Sequence, residues 1–89
     1  LNVFNRDNQM CVFCDKPAKD AHHIIDRNEM PNGGYTKENG ISVCEEHHLM
    51  CEQYHISKGK NWIEGFHPAD LYKKIESSYK LAYLKSLEL

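Results

Sequence analysis

The stretch Val43-Cys44-Glu45-Glu46-His47-His48-Leu49-Met50-Cys51-Glu52 decides the reading of this chain. Cys44 and His47 are three residues apart, the separation at which a tight turn or a first helical turn offers both side chains to one metal ion. His48 follows at once, and on a helix it points about 100° further round, away from that ion. Each direction has a matching half upstream. Cys11-x-x-Cys14 completes a four-ligand set with Cys44 and His47, and the pair His22-His23 is placed to meet His48. The stretch therefore reads as a junction, with a structural metal on one face and a reaction site on the other.

Size makes such a staple useful. Eighty-nine residues form one domain or a fragment of a larger protein, and domains of this size often lean on a metal, disulfides or a partner. The chain opens on Leu1 rather than Met, which reads as a cut or processed boundary with a longer parent. There is no signal-peptide pattern and no apolar run long enough for a membrane span, so no membrane partner is expected. Four cysteines permit three disulfide pairings, which would suit a secreted domain. The six histidines and the Cys-x-x spacings favour zinc in a reducing compartment instead. The net charge of −2 does not mark a strong sequence-independent binder of nucleic acid. The acidic excess falls in residues 1–48, beside the candidate metal ligands, where a bound cation offsets part of it.

Along the chain, Val3 and Phe4 are candidates for the core, and Arg6-Asp7-Asn8 reads as a turn or a solvated lead-in. Cys11-Val12-Phe13-Cys14 has the form of a zinc knuckle, in which backbone N–H groups point at the thiolates. A redox Cys-x-x-Cys would want a thioredoxin-like setting that this chain is too short to supply. Asp20 to Arg27 reads as a strand running into a loop, which turns His22 and His23 to opposite faces. Residues 28–39 are loop-like around Pro31-Asn32-Gly33-Gly34. Gly40 to Val43 is a second strand, antiparallel to the first. A helix is predicted from about Glu45 to Tyr54, its two acidic residues in the first turn as the helix dipole prefers. On it His48 and Glu52 share a face. Cys51 lies about 10 Å along the helix from Cys44, too far to share its ion, and is read as a packed thiol. His55 reads as a surface or packing residue. Lys58 and Lys60 sit in a polar loop, solvated or in contact with phosphate, and Trp62, Ile63 and Phe66 are expected to cap the core. From Pro68, suited to a helix N1 position, one amphipathic helix is predicted to about Leu87, with Leu71, Ile75, Tyr79 and Ala82 on its apolar stripe.

Three segments in order, His22-His23-Ile24, Asn39-Gly40-Ile41 and Cys44-Glu45-Glu46-His47-His48, resemble the motif of the HNH endonucleases, and Cys11-x-x-Cys14 sits where many of that family carry their first zinc pair. The match spans roughly residues 11–55 and is similar to small phage and bacterial members. The resemblance implies an α+β domain of the ββα-metal (His-Me finger) class, a short antiparallel hairpin followed by a helix around one catalytic metal. That domain would cover residues 1–67, with residues 68–89 as a C-terminal helix packed on it. It implies His23 as general base, His22 and His48 as ligands of the catalytic ion, and Asn39 as the residue whose side chain fixes the loop that orients the base. The family pattern commonly ends Cys-x-x-Cys-His; here His47 takes the place of the second cysteine, which makes the structural site Cys11, Cys14, Cys44 and His47. Glu52 stands where some members place another ligand. Arg27 either holds the scissile phosphate or pairs with Asp26.

Chemistry alone also suits such a site to phosphodiester hydrolysis. A water nucleophile needs a base near neutral pH, which histidine provides, and a Lewis acid offsets charge on the leaving 3′ oxygen. Mg2+, Mn2+, Ni2+ or Zn2+ can each fill an open His-rich site. The reading is thus a metal-dependent endonuclease with DNA, double-stranded, as partner, in the cytoplasm of a bacterial or phage-infected cell, with a homodimer or a larger parent both open. The alternative is a non-catalytic zinc module that binds nucleic acid or protein, for which His22, His23, Asn39 and His48 together have no use.

Overall fold

The computed structural model describes residues 2–89; Leu1, on which the reading of a cut boundary rests, lies outside them. The centre is a two-stranded antiparallel sheet, β1 (Asp20–His23) and β2 (Gly40–Val43), in the register Asp20 opposite Val43 and His23 opposite Gly40. All four residues of β2 are buried. A short helix, α1 (Asn2–Arg6), and the longer α2 (Glu45–Ile56) both pack on that strand. α2 begins where the acidic first turn places it and runs two residues past Tyr54.

Burial on both sides explains the composition of β2. Ile41 and Val43 are fully buried beside Ile24, Cys51, Leu71 and Ala82 in one small core. Gly40 is there because Val3 of α1 lies against it: a Cβ at this position would come within 2.6 Å of Val3 Cγ2. Residues 7–9 form a turn, as expected, but its charges are tied to the fold rather than solvated. Arg6 donates to the backbone carbonyls of Lys37 (2.6 Å) and Gly40 (2.8 Å) and forks onto Asp7, whose carboxylate in turn accepts from the backbone N–H of Ser42 at 3.1 Å. Two exposed-looking charges thus tie the N-terminus to the edge of β2.

The connection between the strands, residues 24–39, is wound into three 3-10 turns, Arg27–Glu29, Pro31–Gly34 and Lys37–Asn39. Gly34 is left-handed (φ +65°), and a Cβ there would stand 2.7 Å from the Asn39 amide nitrogen and 2.9 Å from Met30. The loop can close over Asn39 only with glycine at this point.

Beyond α2 the prediction of a single tail helix fails. The chain forms α3 (Pro68–Lys74) and α4 (Tyr79–Leu87). Glu76 takes a left-handed φ of 55° between them, and Ser78 caps α4 by accepting from the Leu81 N–H at 3.1 Å. Serines that bond backbone favour a helix start over a helix interior. The break turns the buried stripe: Leu71, Tyr72 and Ala82 go inward, while Tyr79 and Tyr83 are exposed. α4 lies on the 3-10 turns of the inter-strand connection, where Asn32 donates to the Ser86 carbonyl at 2.9 Å. Of the residues expected to cap the core, Phe66 packs against it, whereas Trp62 and Ile63 are largely exposed. No helix among the described residues is long and apolar enough to cross a membrane.

Candidate metal centres

Two groups of ligand-type side chains flank the first turns of α2. In one, Cys11, Cys14, Cys44 and His47 bring one donor atom each to within 4.8 Å of one another. Zinc–sulfur bonds of about 2.3 Å in a tetrahedron set ligand atoms about 3.8 Å apart. Cys14 and Cys44 sulfurs stand 3.8 Å apart, and Cys11 Sγ lies 3.6 Å from His47 Nδ1. All four cysteines of the chain are free thiols. The donor set, spacing and partial burial fit a structural zinc ion.

Local structure explains how each ligand arrives. The knuckle closes when Cys11 N–H donates to the Lys16 carbonyl (2.9 Å), and Val12 N–H donates to Ser42 of β2 (3.1 Å), which seats the knuckle on the sheet. Cys44 is the N-cap of α2. The backbone N–H of His47 draws its thiol down to about 6 despite burial, with help from the His47 ring and the neighbouring thiols. The thiolate that zinc requires is thus favoured before the ion binds. The His47 ring stacks on Phe13 (centroids 5.3 Å), which also meets Phe66 at 4.7 Å. Cys51 stays out of the group; burial pushes its thiol up to about 12.

The second group joins His22 of β1 to His48 and Glu52 of α2. Glu52 Oε1 lies 3.1 Å from His22 Nδ1 and 3.1 Å from His48 Nε2. Metal bonds of about 2.1 Å at right angles would set neighbouring donors about 3.0 Å apart, so this trio too has the dimensions of a cation site. His22 is almost wholly buried, with Nδ1 turned to Glu52 and Nε2, on the far side of the ring, without a hydrogen-bond partner among the described residues. Desolvation, then the neighbouring His55, His48 and His23, hold it down to about 3. His22 is therefore a neutral donor at any ordinary pH.

His23, on the opposite side of the strand, still lines the same cleft of about 310 Å³ as His22, His48 and Glu52, with Arg27 and Tyr35 at its edge. Its ring meets Tyr35 edge-on at 4.9 Å. Burial lowers its pKa and the Arg27 and His55 charges add to that, while Asp26 opposes them. A larger, mostly apolar hollow of about 510 Å³ starts at the same His23 and Tyr35 and runs to Lys85 and Leu89. Its one further ligand-type side chain, Glu38, accepts from the Thr36 hydroxyl and joins no donor cluster among the described residues, so the candidate ion site belongs to the smaller cleft.

Asn39 is fully buried. Its Oδ1 accepts from the Ile25 N–H (3.1 Å) and the Tyr72 hydroxyl (2.8 Å), and its Nδ2 donates to the Ile25 carbonyl (3.1 Å) and the Gly34 carbonyl (3.3 Å). It clamps the chain two residues past His23. Arg27 is exposed and donates to the Tyr35 hydroxyl at 3.4 Å. His55 does more than face solvent: its Nε2 donates to the His23 carbonyl at 2.9 Å.

Sequence reasoning passed over Tyr72 and Asp20. Tyr72 carried no signal, since it sits beside the stripe that the single-helix reading chose. Asp20 was legible, standing two residues before His22 and hence on the same strand face. Its carboxylate meets His48 Nδ1 at 3.2 Å. No protein-family model, no curated protein and no solved structure matches the chain.

Proposed function

We propose that this protein is a metal-dependent endonuclease of the HNH type, built on a ββα-metal core, that hydrolyses DNA to 5′-phosphate and 3′-hydroxyl ends. The observation that carries the reading is one cleft that joins a three-donor cluster, His22, His48 and Glu52, to a separate histidine, His23. A zinc staple alone has no need of that arrangement. The zinc group lies to the other side of α2's first turn and serves folding.

His23 is the general base. A lowered pKa keeps its imidazole neutral at pH 7, able to take the proton of an attacking water. His55 holds the His23 carbonyl, and Asn39 holds the chain beyond it, so the base keeps its direction. Both are positioning residues. Arg27, at the exposed mouth, is the cation available to a scissile phosphate. His22, His48 and Glu52 are the residues that would hold a divalent ion, Mg2+, Mn2+, Ni2+ or Zn2+, which when bound supplies Lewis acidity toward the phosphate and its leaving oxygen.

The test is cleavage of supercoiled plasmid by zinc-loaded protein with Mg2+, Mn2+ or Ni2+, wild type beside His23→Ala. Metal-dependent nicking or linearisation that falls by ~100-fold or more in the folded variant is expected, in line with loss of a general base. A non-catalytic zinc module would show no cleavage with any ion and the same DNA affinity in both proteins.

A further inference from the structure

We propose that Asp20 is a positioning residue for the second metal centre, a carboxylate that fixes the ring of His48 so that Nε2 faces the ion site. The inference rests on the nuclease reading for its purpose but not for its geometry.

His48 has a carboxylate at each ring nitrogen. Asp20 Oδ2 lies 3.2 Å from Nδ1, and Glu52 Oε1 lies 3.1 Å from Nε2. A neutral imidazole carries a single N–H, so only one of the two carboxylates can receive it. The Glu52 oxygen concerned is the same atom that stands 3.1 Å from His22 Nδ1. With a cation between them, Oε1, Nε2 and His22 Nδ1 would all offer lone pairs, which leaves the N–H of His48 to Nδ1, where Asp20 accepts it. Imidazole ligands commonly donate their second N–H to a carboxylate, which sets tautomer and ring angle and raises ligand basicity.

The backbone makes the partnership specific. Asp20 opens β1, and strand alternation puts it on the face of His22. One strand thus supplies both a ligand and the group that aims the helix's ligand. Lys19, the adjacent cation, is paired with Glu45 at 3.3 Å, which leaves the Asp20 carboxylate to His48. The Asp20 side chain is half exposed, so water competes and the effect belongs at the low end of the range for such partners, about 10-fold in metal affinity.

Two readouts on zinc-loaded protein test this: Mn2+ affinity by calorimetry, and the His48 tautomer at pH 8 by long-range 15N–1H correlation spectra. Wild type should show Nδ1–H. D20A should move the proton to Nε2, facing Glu52, and weaken Mn2+ by about 10-fold. D20N, whose side-chain oxygen still accepts, should keep the wild-type tautomer and most of the affinity. An unchanged tautomer in D20A, or unchanged Mn2+ affinity, overturns the proposal. If wild type binds no Mn2+ yet D20A still shifts the tautomer, the metal-centre reading falls while the hold of Asp20 on His48 stands.

Discussion

At the scale of single residues, the candidate site holds histidines kept neutral first of all by burial. His22 is neutral because it is buried; His23 is neutral because partial burial and a nearby Arg27 disfavour its charge. For His23 the sign is clear. A base works only unprotonated, and its pKa in the folded protein lies below the ordinary value of 6.5. Cleavage should therefore be flat through pH 7 and fall only below about 6.5, as a pH–rate profile at saturating metal would record; a profile that drops already above pH 7 contradicts the assignment. Asn39→Ala would strand the Tyr72 hydroxyl, two backbone groups of Ile25 and the Gly34 carbonyl, and a loss of ~3 kcal/mol in denaturant unfolding is expected. The Cys51 thiol, pushed up to about 12, should resist alkylation at pH 8 in the zinc-loaded protein and react once the chain is denatured; mass spectrometry reads this directly.

At the scale of elements, the hairpin and α2 were legible because ligands constrain spacing. Cys44, His47 and His48 can serve two sites only if a helix starts at about Glu45, and the His22-His23 pair needs a strand to send its rings apart. The zinc quartet was legible for the same reason. The tail was not, since its break depends on Glu76 adopting a left-handed φ and Ser78 taking the cap, choices settled by where α4 meets the inter-strand turns. Nor was the N-terminal clamp, because Arg6 and Asp7 look like surface charges until Gly40 and Ser42 stand beside them. That clamp has a measurable weight. The Arg6 guanidinium and the Ser42 N–H hold the Asp7 carboxyl below its usual range even though burial opposes them. A depressed carboxyl gives stability above its unfolded value, about 3.9, and loses it as pH falls through the folded one. Asp7→Ala should cost ~2 kcal/mol at pH 7 and progressively less below pH 4, by denaturant titration across pH.

At the scale of the molecule, the core is small, and a zinc ion held by Cys11, Cys14, Cys44 and His47 would staple it. Buried apolar side chains cluster around Ile24, Ile41, Val43 and Leu71, and the knuckle, β2 and α2 meet at the zinc quartet. Chelation should unfold the domain reversibly, with loss of helical circular dichroism and recovery on adding zinc. The division of labour across the first turn of α2 is the central claim: Cys44 and His47 hold the fold, and His48, one residue on, belongs to the reaction site. His48→Ala tests it most directly, with zinc content and plasmid cleavage measured on the same preparation. One zinc per chain retained and metal-dependent cleavage lost is the predicted result. Cleavage that survives the substitution, or zinc that leaves with His48, would contradict it.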